Sequence, residues 1–310
     1  MRVIVFLCLL LLAPVARAAD PIAVVPYRID YFGWFTVSAM VNGMGPYDFI
    51  IDTGATQSLV FENLAALHTF EPSGGPPQTV LGLVSQGELP TFNIGEVTVG
   101  EARLDNLVTV ILGDWRQGDR SPQGVLGLEF LTRYAAVFDA ENGLLSLYHR
   151  DTPPESYPRK WKTVELTADG FDLGVGDLFT VEGSIDTRRV RFLVDLGSGG
   201  TLINRQARSY IAARPSGLGV VLKPSAGAGS GRVKDALDKI QSTRPVVVGR
   251  LKIGRVSWNR RIFSVIDAPI FKDLGVDRHP FGLLGADLLA DRSFALDFGN
   301  GSLIIGPPLK

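Results

Sequence analysis

One pattern occurs twice in this 310-residue chain, and it constrains the fold more than any other feature of the sequence. An apolar run ends in an aspartate and a small-residue turn, first as Phe49-Ile50-Ile51-Asp52-Thr53-Gly54-Ala55, then as Phe192-Leu193-Val194-Asp195-Leu196-Gly197-Ser198. Each copy has an aliphatic-aliphatic-Gly partner downstream, Val125-Leu126-Gly127 for the first and Leu283-Leu284-Gly285 for the second. A carboxylate at the end of a buried strand is costly unless it is paired or used. Two of them in matched surroundings predict two homologous halves that bring the carboxylates together.

The repeat extends well beyond these motifs. Phe35 to Val41 alternates as a half-buried strand and turns at Asn42-Gly43, so the run into Asp52 is the second strand of a hairpin. In the second half Leu178 to Val181 leads to Glu182-Gly183 as the corresponding turn, and a strand then runs into Asp195. Ile94-Gly95-Glu96-Val97 is matched by Ile253-Gly254-Arg255-Val256, each ahead of a β-rich run. Gly127 and Gly285 are both followed by a short helix-like piece and then by strands that turn at Asn142-Gly143 and Asn300-Gly301. Those Asn-Gly pairs read as two-residue hairpin turns with positive φ at both central positions. The content of 35 glycines, with few long charge runs, also favours a turn-rich β protein over a helical bundle. A polar, proline-rich connector at 151–160 divides an N-terminal lobe, 19–150, from a C-terminal lobe, 161–310.

The N-terminal 18 residues read as a secretory signal: Arg2, an apolar stretch from Val3 to Leu12, and the small-x-small site Ala16-Arg17-Ala18. The stretch is too short to favour a membrane span, and no second one follows. Its compact form predicts export to a bacterial periplasm, or secretion. Cys8, the only cysteine, lies inside that segment, so the mature chain has neither disulfides nor thiolate chemistry. A net charge of −1 offers nothing to attract nucleic acid. His68, His149 and His279 are far apart and lack metal-ligand spacing, so no metal is expected. Gly197-Ser198-Gly199 lacks the spacing of a nucleophilic serine elbow, and Gly227 to Arg232 lacks the Gly-Lys-Ser/Thr of a phosphate loop.

Each half resembles a retropepsin-type aspartic protease unit, and the tandem is similar to the bilobal pepsin-like plan. The resemblance rests on Asp52-Thr53-Gly54-Ala55-Thr56, on Gly127 and Gly285 after paired aliphatics, and on the second copy of the whole pattern. It spans roughly 33–148 and 178–306. It implies an all-β fold of two homologous lobes with a cleft between them, a polypeptide substrate, no cofactor, and a monomer in which the lobes form a pseudo-dimer. It also implies catalysis by Asp52 and Asp195. Two carboxyls about 3 Å apart share one proton, because like charges that close cannot both ionise, and the pair can then act as general base and general acid on water and a peptide carbonyl.

The second copy departs from the family pattern. Thr53 can offer a hydroxyl to the opposite loop, whereas Leu196 cannot return that bond. Ser198 is placed to hydrogen-bond Asp195 and Ala55 cannot do the same for Asp52, which makes Asp195 the more readily ionised of the two. The candidate substrate flap is the hairpin-like segment around Gly82, Ser85 and Gly87, with glycines as hinges, and a second lies near Gly229. The first lacks the tyrosine of pepsin-like flaps and so resembles retropepsins more. Three readings stay open: an aspartic endopeptidase using both aspartates; a retropepsin-like pseudoenzyme that binds peptides or protein partners; and a homodimer that uses only the first lobe.

Overall fold

The computed structural model describes residues 20–115, 121–171, 177–211 and 231–309. The leader, Cys8 and Gly229 lie outside the described residues. Strands dominate, and the α-helices are single turns such as Glu62–Ala65 and Leu128–Leu131.

Each half closes into a six-stranded barrel. In the first, the strands run Phe35–Val41, Met44–Ile51, Gly124–Leu126, Leu59–Phe61, Ala102–Leu112, Thr91–Val99, and Val41 opposite Val97 closes the ring. In the second the order is Leu178–Ile185, Arg188–Asp195, Phe281–Gly285, Leu202–Ile203, Val256–Val265, Arg244–Ile253, closed by Gly183 opposite Ile253. The two rings correspond strand for strand. Alternation along Phe35–Val41 and the apolar ends of the strands at Ile51 and Val194 fill the interiors, with Phe35, Phe49, Ile51, Phe192 and Val194 all buried. Closure removes the free edges that strands of this composition would otherwise expose.

A third sheet joins the halves. Its strands lie in the order Lys162–Glu165, Ser302–Pro308, Arg292–Asp297, Tyr134–Asp139, Leu144–His149, Ala23–Ile29. The seam is the antiparallel pairing of Tyr134–Asp139 with Arg292–Asp297, one strand from each half. There the Phe138 and Phe294 rings stack at 4.3 Å, and the edge-on Phe35 ring of the first barrel caps both. The two barrels are thereby held on one continuous floor.

Three expected turns differ from what forms. The strand Leu178–Ile185 runs through Glu182-Gly183, and the chain reverses at Asp186, which takes φ 54°. Gly183 sits mid-strand because a Cβ there would meet Lys252 O at 3.0 Å and the Phe192 ring at 3.3 Å. At Asn142-Gly143 and Asn300-Gly301 only the glycines take positive φ. These turns are held instead by aspartates: Asn142 N–H and Nδ2 donate to Asp139, and Asn300 does the same to Asp297. Among the described residues no helix is long and apolar enough to cross a membrane.

Candidate active site

Both aspartates emerge where the barrels depart from antiparallel pairing. Met44–Ile51 runs parallel to Gly124–Leu126, and the Asp52 N–H donates to Leu126 O at 3.0 Å. Arg188–Asp195 runs parallel to Phe281–Gly285, with Asp195 opposite Gly285. After each aspartate the chain loops back across this parallel partner. It passes so close that a Cβ on Gly127 would meet Ala55 O at 2.9 Å, and one on Gly285 would meet Gly200 O at 2.7 Å. The Leu128 N–H donates to Ala55 O and the Ala286 N–H to Ser198 O, each at 2.8 Å, so the two loops are pinned alike.

A hydroxyl and a carboxyl reinforce each loop. Ser58 Oγ accepts from the Gly127 N–H at 3.1 Å, and the Ser58 N–H donates to Glu129 Oε1 at 2.7 Å. In the second lobe Thr201 Oγ1 accepts from the Gly285 N–H at 3.2 Å and donates to Asp287 Oδ1 at 2.7 Å. Burial lifts Glu129 above the ordinary carboxyl range and lifts Asp287 to about 6. Sequence reasoning missed these four residues, although the repeat carries them: Ser58 and Thr201 sit at matching places after the aspartates, Glu129 and Asp287 at matching places after the glycines.

The two aspartate loops meet at the centre. Gly54 packs against Asp195, where an added Cβ would lie 2.6 Å from Oδ1, and Gly197 packs against the Asp52 carboxylate. Asp52 Oδ1 accepts from the Gly54 N–H at 2.7 Å and the Ala55 N–H at 3.1 Å. Asp195 Oδ1 accepts from the Ser198 N–H at 3.0 Å. The Asp52 and Asp195 carboxyls are thus brought together across the two glycines, and both are half-buried at the cleft floor. Desolvation raises both above the ordinary range, and Asp195 further, because the negative charge of Asp52 adds to its burial. Asp52 receives two loop amide donors against one for Asp195, which favours its ionised form. The hydroxyl contact expected from Ser198 to Asp195 does not form. Its hydroxyl turns away to donate to Gly200 O at 2.8 Å, and only its backbone N–H serves Asp195.

Thr53 spans the lobes, 1% exposed. Its Oγ1 donates to Val194 O at 2.8 Å and accepts from the Leu196 N–H at 3.0 Å. Leu196, 0% exposed, is part of the main hydrophobic core and returns neither bond.

Above the aspartates lies a cavity of about 1190 Å³. Its first-lobe wall is aromatic, with Phe32, Trp34, Phe61 and Trp115; its second-lobe wall is aliphatic, with Leu178, Leu193, Leu202, Leu274 and Leu283. The segment bearing Gly82, Ser85 and Gly87 is a hairpin, Gln78–Leu81 paired with Gln86–Leu89, and it covers the cavity from one side. A second hairpin, Arg232–Lys234 with Ile240–Ser242, covers it from the other. Gly82 is a close-contact position: a Cβ there would lie 2.6 Å from Asp235 Oδ2 in the opposite hairpin. His68 packs on Phe70 and bonds Tyr47, an ordinary packing role. Among the described residues no cluster of three or more His, Cys, Asp or Glu could hold a metal ion.

Residues 37–130, which include Asp52 and Gly127, match the family described as aspartyl protease. The crystal structure of the aspartic proteinase from Irpex lacteus shares the fold, at 12% identity and a TM-score of 0.55, over 92% of this chain and 97% of that chain. No curated protein matches in sequence. The first lobe therefore carries a segment similar to that family, and the two lobes together share the fold of that aspartic proteinase.

Proposed function

We propose that this chain is an exported aspartic endopeptidase in which Asp52 and Asp195 activate water against a peptide bond. The observation that carries this reading is the meeting of the two aspartate loops, each glycine packed on the other lobe's carboxyl and each carboxyl held by loop amides, at the floor of a large cleft. Ionised Asp52 takes a proton from water as its oxygen adds to the carbonyl carbon, and Asp195 gives its proton to the carbonyl oxygen. Collapse of the resulting diol returns a proton to the leaving nitrogen, breaks the C–N bond and restores the shared proton. Apolar walls on both sides suit an unfolded segment rather than a charged one.

Because the second lobe supplies the second carboxyl, one chain suffices and a monomer is the working form. The leader before Ala19 supports export to the periplasm or outside the cell, and N-terminal sequencing of the secreted product tests it. Cleavage of an unstructured protein at mildly acidic pH is the decisive assay. Asp52→Asn and Asp195→Asn should each lower the rate by about 10² to 10⁴. Activity that survives Asp195→Asn would identify a homodimer of first lobes. Peptide binding with no cleavage at any pH would identify a binding module.

A further inference from the structure

The roof over the cleft is stitched together across the lobes, chiefly by one carboxylate. Asp235, in the turn of the second-lobe hairpin, is 4% exposed and therefore needs its charge fully answered. Its Oδ1 serves its own turn, accepting from the Leu237 N–H at 3.1 Å and the Lys239 N–H at 2.8 Å. Its Oδ2 serves the other lobe, accepting from the Val84 N–H at 3.1 Å and from Ser85 Oγ at 2.6 Å. Nothing in the second lobe's own turn requires that second oxygen. Two weaker contacts lie beside it: the Ile270 N–H donates to Leu83 O at 3.4 Å, and the Lys234 ammonium rests over the Trp115 ring at 4.7 Å. Gly82 is glycine because the Asp235 carboxylate occupies the space of its Cβ.

We propose that Asp235 is a specificity-determining latch: it ties the two hairpins shut over the cleft, so that short peptides pass beneath them while the middle of a long polypeptide gains access only when the latch opens. The proposal rests on the endopeptidase reading for its substrate and on the hairpin contacts alone for the latch. Charge-assisted bonds are the strong ones, and here they join two hairpins that line the cleft from opposite lobes. Admission of a long chain then scales with the open population.

Asp235→Asn separates the two functions of the carboxylate. The amide oxygen can keep the Leu237 and Lys239 bonds, which leaves an NH₂ facing the Val84 N–H, donor against donor. Ser85→Ala removes one latch bond without touching the Asp235 turn, and Lys239→Ala, an exposed side chain in that turn, serves as control. Amide exchange at Val84, measured in an Asp52→Asn background, reads the latch without any catalysis. It should rise about tenfold with Asp235→Asn, rise less with Ser85→Ala, and stay unchanged with Lys239→Ala. With Asp52 intact, Asp235→Asn should raise kcat/KM for a long unstructured protein about tenfold relative to an apolar decapeptide, in line with the open population. Unchanged exchange at Val84 overturns the latch, and an unchanged long-to-short ratio overturns its role in selection. Raised exchange in a protein that cleaves neither substrate upholds the latch and removes the endopeptidase reading.

Discussion

In the first lobe the residue after the aspartate is Thr53, whose hydroxyl crosses to Val194 O and the Leu196 N–H; in the second it is Leu196, a fully buried hydrocarbon. Four features around that position are duplicated: the parallel strand pair, the glycine on which the loop rests, the hydroxyl beneath it and the carboxyl beyond. Two halves fused on a shared floor can evidently hold their aspartates together with a grip made from one side. A dimer of identical chains has no such freedom, since each change appears twice. Fusion also lets the aspartates differ, with two loop amide donors at Asp52 and one at Asp195.

The largest effect should come from breaking the close approach at the centre. Gly197→Ala places a Cβ on the Asp52 carboxylate and Gly54→Ala places one on Asp195, so each should reduce cleavage about 10²-fold or more, read as kcat on an unstructured protein. If either alanine is tolerated, the loops do not meet as described.

The next effect compares the buried carboxyls behind the loops. Asp287 rises on folding from 3.8 to about 6, so the folded protein holds that proton more tightly than the unfolded chain does. Its contribution is complete below about pH 4 and is withdrawn as the pH climbs to about 6, a loss of about 3 kcal/mol. Denaturant unfolding at pH 4 and pH 7 should show Asp287→Asn losing about 3 kcal/mol less than the wild type across that interval. Glu129→Gln should act in the same direction and less, because Glu129 is less buried.

Thr53→Val comes third. It leaves Val194 O and the Leu196 N–H buried without their partner and should cost about 2 kcal/mol in unfolding free energy. Leu196→Thr is the smallest. By the pseudo-twofold its hydroxyl would face Ile51 O and the Thr53 N–H, but the bonds gained replace apolar area already buried in the core. The net change should stay within about 1 kcal/mol by the same measurement. A gain as large as the Thr53→Val loss would show that the second half of the grip matters more than packing.

Most of the architecture was legible because the chain states it twice. Asp52 and Asp195, their glycines and the parallel partners at Leu126 and Leu284 can all be paired by alignment of one half on the other. What stayed hidden depends on where side chains turn. Ser198 has the right composition to serve Asp195, yet its hydroxyl finds Gly200 O within its own turn, a local competition that spacing cannot resolve. Asp235 could not be singled out because its partners, Val84 and Ser85, lie in the other lobe and far away in sequence. Gly183 read as a turn residue because sequence does not distinguish a glycine that bends the chain from one that makes room for Phe192.

The parallel pairing behind Asp195 has a consequence for the order in which the molecule can be made. Every strand of the first barrel precedes Gly127, so that barrel can close while the rest of the chain is still being synthesised. The strand that ends at Asp195 must wait for Phe281–Gly285, and the floor beneath both barrels must wait for Arg292–Asp297 and Ser302–Pro308. The floor that holds the two carboxyls together is complete only when these last strands are in place.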